Sequence, residues 1–459
     1  MRVSRPRIRL LAAVTLTMAL AAGGATACGG SSDSSSGSTL QMWTFKQAHV
    51  KPLQDAAARF KAQTGISVDV TAYTPDDAYK SKIQSAAQTK NVADVLEVHA
   101  VGEDFVLGGS GILADLAPSV NDAWKARFVH GTADSEVVSN DRYQRSLKPK
   151  APDVGIQVGQ MFSVPFTIGA FGIVYANKAK LTAAGLDPAN PPKTWAQFVS
   201  WLKATNTKDP QAGGLTVGLK SSTTGFNWLL EPLAYAYLGK AKYQALFAKD
   251  PASAFGSPDG QRVLELYNQL TPYWTPGTQT LSIDDADRAF AQGKSAFDLG
   301  GTFTLAAIGQ NGLKADDVVS FSLPAAEGGA SADLKLAPIP LTGLSISAQS
   351  KKQDDVVKWL DFLTKSDEAG KFAQGSLDLT GTDLGADSAK LLGPNLFALQ
   401  KTLGEASQGA YDASFTDIFS PAYVDTDAAD VLVKMSPLKE TTPAATNQAL
   451  GALVANSWK

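Results

Sequence analysis

TLQMWTF at residues 39–45, VKPLQDAAARFKAQTG at 50–65 and ISVDVTAY at 66–73 are the three consecutive segments that decide the fold. The first is short, apolar and rich in β-forming residues, and the third alternates between apolar and polar residues as a strand does. The middle segment carries Leu53 and Phe60 at helical spacing and ends at a glycine. A strand, a helix and a second strand in this order predict a parallel sheet with right-handed crossovers, and therefore an α/β protein.

The same alternation continues along the rest of the chain. ADVLEVHA (93–100), FGIVYANK (171–178) and SAFDLGG (295–301) are predicted strands, and Thr194 is the predicted N-cap of a helix with an apolar stripe. A stretch rich in proline and glycine within residues 130–160 predicts a loop or hairpin that leads to a crossing between domains. With 459 residues, the chain is long enough for two domains.

Composition and charge exclude several classes of function. The formal net charge is -3, and it becomes -7 when residues 1–27 are removed, because that segment holds four arginines and no acid. Nucleic acid is therefore not the expected partner, since phosphate binding needs clustered Lys and Arg. The single cysteine cannot form an internal disulfide, and the three scattered histidines predict no transition-metal site. We expect no cofactor.

The N-terminus has the layout of an exported lipoprotein. Arginines precede an apolar run at residues 10–22, which is too short to span a bilayer, and small residues follow. This layout predicts a signal peptide over residues 1–27, with a membrane anchor or a buried helix as the alternative. Cys28 follows Ala-Thr-Ala, which resembles a bacterial lipobox except that Ala25 stands where leucine is commonest; a free cysteine in a disordered leader is the alternative. Residues 28–38, rich in Gly and Ser, are the predicted flexible tether.

Five segments, in order, resemble the extracellular solute-binding proteins of bacterial ABC importers, specifically the carbohydrate branch related to maltose-binding protein. The most specific segment runs from FGIVYANK to PPKTWAQF (171–198). The others are MWTF with the helix and strand after it, ADVLEVHA with SGILADLAP, AFAQGKSAFDLGGTF, and PIPLTGLSIS with VVKWLDFLTKSDEAGKFA. Two features depart from the family. An aromatic residue usually follows the glycine turn directly, whereas Gly301 is followed by Thr302 and then Phe303, and the 140–160 loop is atypical.

The resemblance implies a two-lobe fold of the type II periplasmic-binding-protein class, with a ligand cleft between lobes joined by a hinge. The first lobe would comprise residues 39–165 and 338–395, and the second lobe residues 166–337 and 396–459. The implied function is a lipid-anchored receptor at the extracellular face of the cell membrane. It would capture a mono- or oligosaccharide and deliver it to an ABC transporter permease. We expect a monomer that binds its ligand and is not an enzyme.

A sugar presents an apolar ring face and many hydroxyl groups, so a sugar cleft needs aromatic and polar side chains together. Trp43 and Phe45 end the first strand and His99 ends the third, at the edge where open α/β sheets bind ligands. Core packing is the alternative for each of them. Trp228 and Glu231 share one face of a helix start. The complete set of predicted ligand-binding residues is Trp43, Phe45, Lys46, Gln47, His99, Glu103, Phe166, Phe171, Asn227, Trp228, Glu231, Thr302, Phe303, Thr342 and Gly343.

Two other functions stay open on the sequence alone. A secreted glycan-active enzyme needs two carboxylates about 5–9 Å apart in a cleft, and the same fold can bind a peptide, a polyamine or an anion. Arg288 stands where the Gly-Lys-Ser of QGKSAF needs a phosphate-loop glycine, and the sequence contains no Gly-x-Ser-x-Gly elbow. The acids Asp284, Asp285 and Asp287 are predicted to favour a helix start. Aromatic and amide residues together favour a sugar.

Overall fold

Two separate β-sheets organise the chain in the computed structural model, which describes residues 38–414, 418–420 and 422–459. The predicted signal peptide, Cys28 and nearly all of the tether lie outside these residues. The strands are β1 (Thr39–Thr44), β2 (Ser67–Ala72), β3 (Val95–His99), β4 (Val164–Gly169), β5 (Phe171–Asn177), β6 (Leu215–Thr216), β7 (Phe297–Gly301), β8 (Val318–Ser322) and β9 (Ile339–Ile346). The first sheet has the order β2-β1-β3-β9-β4 and the second has the order β6-β7-β5-β8.

Helices surround both sheets. They are α1 (Gln47–Thr64), α2 (Asp76–Gln88), α3 (Glu103–Gly109), α4 (Asp122–Lys125), α5 (Thr132–Ser135), α6 (Asn140–Ser146), α7 (Lys178–Ala183), α8 (Trp195–Lys208), α9 (Thr223–Gly225), α10 (Glu231–Leu238), α11 (Lys240–Ala245), α12 (Pro258–Asn268), α13 (Ile283–Ala291), α14 (Thr304–Gln310), α15 (Gln353–Leu363), α16 (Ser366–Ser376), α17 (Ser388–Gln400), α18 (Asp425–Met435) and α19 (Pro443–Ser457). A π-helical turn, Phe226–Leu230, joins α9 to α10.

The first sheet contains the strand–helix–strand unit that the sequence predicts. β1 pairs in parallel with β2 and β3, whereas β9 is antiparallel to β3 and β4. The helix α1 lies between β1 and β2 in the chain and buries Leu53 and Phe60 in the core of this lobe. Gly65 ends it at a φ of 76°, where its N–H donates to the carbonyl of Lys61 at 2.9 Å. Glycine is favoured at this left-handed position, because glycine has no Cβ that would clash.

The second sheet is built mainly from antiparallel strands. β5 pairs with β7 on one side and β8 on the other, and β6 is parallel to β7. Thr194 caps α8, since its hydroxyl oxygen accepts the N–H of Gln197 at 3.3 Å; this prediction is confirmed. The C-terminal helices α18 and α19 pack on α9 and α12, and therefore belong with the second lobe.

Within the residues that the structure describes, three chain segments join the lobes. The first passes through Ala170 between β4 and β5, and the second connects β8 to β9. The third, residues 377–387, runs from α16, which packs on α1, to α17, which packs on both α16 and β8. β4 stays paired with β9 as far as Gly169, so the first sheet continues past the boundary that the sequence suggests at residue 165.

The stretch 130–160 contains helices as well as a loop. α5 and α6 lie within it, and Ser139 caps α6 by accepting the N–H of Arg142 at 3.1 Å. The prediction of a loop or hairpin is therefore wrong for these residues. The prolines come after α6, at Pro149 and Pro152, so they do not interrupt either helix.

Within the described residues, the helices are too short or too polar for any of them to cross a membrane. In the same part of the chain, His, Asp and Glu side chains do not form a group of three that could hold a metal ion.

Candidate functional site

The carboxyl ends of β1 and β3 form one wall of a cleft. The Phe45 ring stacks on the imidazole of His99, with ring centroids 4.4 Å apart and planes at 24°. Glu103 orients the imidazole, since its Oε2 lies 2.9 Å from His99 Nδ1 and accepts the His99 main-chain N–H at 3.1 Å. Burial opposes ionisation of Glu103, but the hydrogen bonds from His99 outweigh it and lower the pKa of this carboxyl. The wall therefore combines an aromatic surface with a fixed carboxylate.

Trp43 lies at the same strand end but is mostly covered. Its side chain is 8% exposed and packs edge-on against Tyr73 at 5.3 Å. The ammonium of Lys82 lies over the same ring, 4.9 Å from its centroid. Gln47, the first residue of α1, is exposed beside this wall. Trp43 therefore serves the core more than the cleft.

Three aromatic side chains of the second lobe form the opposite wall. Phe171 and Trp228 stack in parallel, 4.8 Å apart and 2° from coplanar, and Phe303 meets Trp228 edge-on at 5.9 Å. We call these three residues the aromatic cluster. Trp228 comes from the π-helical turn, a rare feature that is frequent at functional sites. A Cβ on Gly301 would lie 2.4 Å from the Phe303 ring, so a glycine is required for this ring to fold back on its strand end.

Lys46 connects the two walls. Its Nζ lies 5.6 Å from the centroid of Phe303 and 2.9 Å from Oδ2 of Asp378. The cation therefore sits over an aromatic ring of the opposite lobe while a carboxylate of its own side holds it. Since an ammonium has three donors, it retains capacity for a ligand hydroxyl group.

Carboxylates from both lobes approach one another at the rim of the cleft. Asp76, at the start of α2, lies 3.9 Å from Nδ1 of His99 and is paired with Lys80. Burial raises the pKa of Asp284, at the start of α13, and the charges of Asp285 and Asp76 raise it further. The rim is therefore acidic on both sides.

Several predicted site residues lie in the core instead. Phe166 is 3% exposed and packs on Phe372, with ring centroids 4.3 Å apart. Thr342 is buried in β9, where its hydroxyl lies 2.9 Å from that of Thr167, and a Cβ on the neighbouring Gly343 would meet Ser163 at 2.4 Å. These hinge residues are packed against protein in the structure, and their role as ligand contacts stays a prediction.

Other predicted residues of the second lobe are also enclosed. Thr302 is fully buried. Burial raises the pKa of Glu231 to about 8, and its carboxyl accepts the hydroxyl of Tyr411 at 2.8 Å inside the lobe. Asn227 is half-buried and its Oδ1 has no hydrogen-bond partner. Of the predicted set, the structure brings Phe45 together with His99 and Glu103. It also brings Phe171 together with Trp228 and Phe303, and Lys46 lies over the Phe303 ring.

Sequence reasoning missed the groups that hold Lys46 in place. Asp378 lies 332 positions further along the chain, in the third crossing, and no local pattern marks it. The same holds for His49, whose ring nitrogens face Glu97 and Asp378. Three histidines without paired spacing gave no signal for this arrangement.

Comparisons with known proteins identify the family. Its model, described as bacterial extracellular solute-binding protein, matches residues 47–370. The sn-glycerol-3-phosphate-binding periplasmic protein UgpB of Escherichia coli (strain K12) is 25% identical over 361 residues, which cover 74% of either chain.

Solved structures share the fold at low sequence identity. The maltotriose binding protein of Thermus thermophilus has a TM-score of 0.61 at 17% identity, over 92% of this chain and 100% of that one. A protein connected with xylan utilization by Caldanaerobius polysaccharolyticus has a TM-score of 0.66 at 18% identity, over 90% and 99%. These neighbours confirm the two-lobe type II fold. The matched family consists of binding proteins and not of enzymes, as the sequence predicts. The chain therefore belongs to the bacterial extracellular solute-binding proteins.

Proposed function

We propose that this protein is a lipid-anchored receptor that captures a mono- or oligosaccharide between its lobes and delivers it to an ABC transporter permease. The observation that carries the proposal is the aromatic cluster, which faces Lys46 across the cleft. Aromatic rings bind the apolar faces of sugar rings, and an ammonium, a carboxylate and an imidazole bind hydroxyl groups. Lys46 links the two walls, since it follows Phe45 in the chain and its ammonium lies over Phe303.

The names of proteins with the same fold support a carbohydrate ligand. The Thermus protein is bound with maltotriose, and another neighbour is in complex with raffinose. The Escherichia coli relative is named for sn-glycerol-3-phosphate, a phosphate ester. A phosphate needs excess positive charge, whereas Asp76, Glu103 and Asp284 make this rim acidic and Asp378 already pairs with Lys46. A polyamine is the second candidate, because that acidic rim suits a cation.

A ligand screen tests the proposal. The purified protein is heated with maltotriose, raffinose, tagatose or xylo-oligosaccharides, and separately with sn-glycerol-3-phosphate or spermidine. A ligand at 100 times its Kd stabilises the folded protein by about 2.7 kcal/mol, which raises the Tm measurably. We expect a sugar to raise it. A shift with spermidine or glycerol phosphate and with none of the sugars would overturn the carbohydrate assignment.

A matched pair of variants tests whether the aromatic cluster binds the sugar. Phe303→Ala removes the ring beneath Lys46, and we expect it to weaken binding by about 10-fold or more, measured by calorimetric titration. Phe397→Ala is the control. Phe397 is half-buried on α17, and Lys401 Nζ lies 4.5 Å from its ring. The control therefore removes the same type of ring, also beside a lysine, at another place in the protein. Equal losses in both variants would contradict the site.

The anchor is tested at Cys28, which lies outside the described residues. We expect mass spectrometry of protein extracted from membranes to show a lipid-modified Cys28 as the first residue. Cys28→Ser should release the protein into the medium, since the tether alone has no affinity for a bilayer. An unmodified thiol on membrane-extracted protein would contradict the lipid anchor while leaving the ligand assignment intact.

A further inference from the structure

A buried network of charged side chains lies directly beneath the first wall of the cleft. His49 is completely buried, with Nδ1 at 2.9 Å from Glu97 Oε1 and Nε2 at 3.3 Å from Asp378 Oδ2. The same oxygen of Asp378 accepts the Lys46 ammonium at 2.9 Å. Two cations therefore face two carboxylates, and Asp378 is the one acid that contacts both.

The neighbours keep these groups ionised in spite of their burial. Burial by itself lowers the pKa of His49, but Glu97 and Asp378 outweigh it and raise that pKa. Burial by itself raises the pKa of Asp378, but Lys46 and His49 lower it to about 2. Asp378 therefore presents a full negative charge to the Lys46 ammonium across the ordinary pH range.

Asp378 belongs to the third crossing between the lobes and is fixed there. Its Oδ1 accepts the N–H of Leu379 at 3.0 Å, and the carbonyl of Leu379 accepts the N–H of Ile168 in β4. The preceding residue, Leu377, reaches α14 of the second lobe, where a Cβ on Gly309 would lie 3.1 Å from its side chain. The carboxylate therefore occupies a rigid position at the junction of the two lobes.

Lys46 depends on that carboxylate for its orientation. A lysine side chain is long and loses much rotamer freedom when it is held in one place. Its Nζ is 5.6 Å from the Phe303 centroid, and the side chain is only 19% exposed. Without Asp378, a strongly hydrated ammonium would turn toward solvent and leave the aromatic ring.

We infer that Asp378 is a positioning residue for ligand capture: from the third crossing it holds the Lys46 ammonium against Phe303, so the affinity of the closed cleft depends on a carboxylate that does not touch the ligand. This inference rests on the proposed function for the identity of the ligand. The positioning itself is a property of the protein without ligand, and the two are tested separately.

The ligand-free test measures the reactivity of Lys46 toward an N-hydroxysuccinimidyl acetate, read by peptide mass spectrometry. Lys51 is the internal reference, because it lies on α1, which begins directly after Lys46 in the chain, and is 76% exposed. In the wild-type protein we expect Lys46 to react at least about 10-fold more slowly than Lys51, as a held and shielded ammonium should. Asp378→Asn should raise the Lys46 rate about 5-fold or more. Asp383→Asn is the matched control, since Asp383 is an exposed acid of the same crossing.

The second test is a double-mutant cycle on affinity for maltotriose, or for whichever sugar of the screen binds in its place. Asp378→Asn and Lys46→Met should each weaken binding about 5-fold, and the double variant should be no weaker than Lys46→Met alone. Asp383→Asn should leave the Kd unchanged. Should Asp378→Asn not fold, Asp378→Glu retains the charge and shifts it by one methylene, and it should give intermediate rates and affinities.

The outcomes separate the two proposals. Rapid labelling of Lys46 in the wild-type protein overturns the positioning role, whatever the ligand is. Affinity losses that multiply in the double variant would also overturn the positioning role. An Asp378→Asn variant that lowers the Tm and leaves the Kd unchanged would do the same, because either result describes an acid with a purely structural role. If Lys46 is labelled slowly in the wild-type protein and faster in Asp378→Asn, the positioning role is supported even when no sugar binds. In that case only the carbohydrate assignment fails.

Discussion

Buried charge lies beneath both walls of the cleft, but the two walls stabilise it in opposite ways. Beneath the first wall, His49 lies between Glu97 and Asp378, so cations face carboxylates. Beneath the second wall, two acids are buried together: Asp287 of α13 and Asp298 of β7 each have one carboxyl oxygen without a hydrogen-bond partner, and Asp298 raises the pKa of Asp287. Neighbouring buried carboxylates do not both ionise, so we infer that the pair shares a proton.

The pKa values follow the sign of the neighbour and not the depth of burial. Burial raises the pKa of Asp298 to about 6, and burial together with Asp298 raises that of Asp287. Asp378 is equally buried, yet Lys46 and His49 lower its pKa to about 2. The first cluster is therefore ionised and balanced, whereas the second keeps its protons to a higher pH, which gives the two clusters different responses to substitution and to pH.

The largest effect is expected from breaking the ionised cluster. Glu97→Gln removes one carboxylate and leaves His49 buried with half of its compensation, so we expect the free energy of unfolding at pH 7 to fall by about 3–5 kcal/mol. Urea denaturation measures this change. The control is Glu265→Gln on the surface, where an exposed pair with Arg262 should change stability by at most about 0.5 kcal/mol. A loss below about 1 kcal/mol for Glu97→Gln would contradict the comparison.

The acid pair of Asp287 and Asp298 should change the pH dependence of stability. A raised pKa in the folded state means that the folded protein keeps its proton to higher pH than the unfolded chain. This stabilisation is complete below about pH 4, the pKa of an unfolded Asp, and is lost as the pH rises through about 6, the pKa of Asp298. Asp287→Asn replaces one acid by an amide of the same size. Because the pKa of Asp287 is raised well above its ordinary value, we expect the variant to lose less stability than the wild type between pH 5 and pH 8.

Urea unfolding at half-unit steps of pH measures this difference. Burial also raises the pKa of Glu231 and of Glu136, so stability falls with rising pH in both proteins for reasons outside the pair. Those contributions are common to both and cancel in the comparison. Identical pH profiles for Asp287→Asn and the wild type would show that the two acids do not share a proton.

The sequence predicts the parts of this molecule that depend on local pattern. The order of β1, α1 and β2 follows from residue periodicity, and the cap at Thr194 follows from a hydroxyl before an apolar stripe. The ends of β1 and β3 also follow from local pattern, so the sequence places Phe45 and His99 at the same edge, where their rings stack. Each of these features is decided within about one turn of helix or one strand.

The remaining features depend on packing between distant segments. A buried hinge residue such as Phe166 and a cleft residue such as Phe171 look alike in sequence, because both lie in apolar strands near a crossing. Asp287 was expected to favour a helix start with its neighbours. Instead, Ser282 caps α13, and Asp287 turns inward to Asp298. Only the fold brings such groups within hydrogen-bond distance.

The smallest predicted effect compares two matched threonines, one in each cluster. Thr44 donates its hydroxyl to the ionised Glu97. The Thr216 hydroxyl lies near Ser295, the carbonyl of Phe297 and Asp298, and Asp298 is mostly protonated at pH 5 because its pKa is about 6. Hydrogen bonds to charged acceptors contribute more than neutral ones. At pH 5, we therefore expect Thr44→Val to lower the free energy of unfolding by about 2 kcal/mol and Thr216→Val by about 1 kcal/mol.

Because the Thr216 hydroxyl also lowers the pKa of Asp298, Thr216→Val should move the pH-dependent loss of stability to higher pH, and Thr44→Val should leave it in place. If the two variants lose equal stability and neither moves the pH profile, the clusters do not differ in charge.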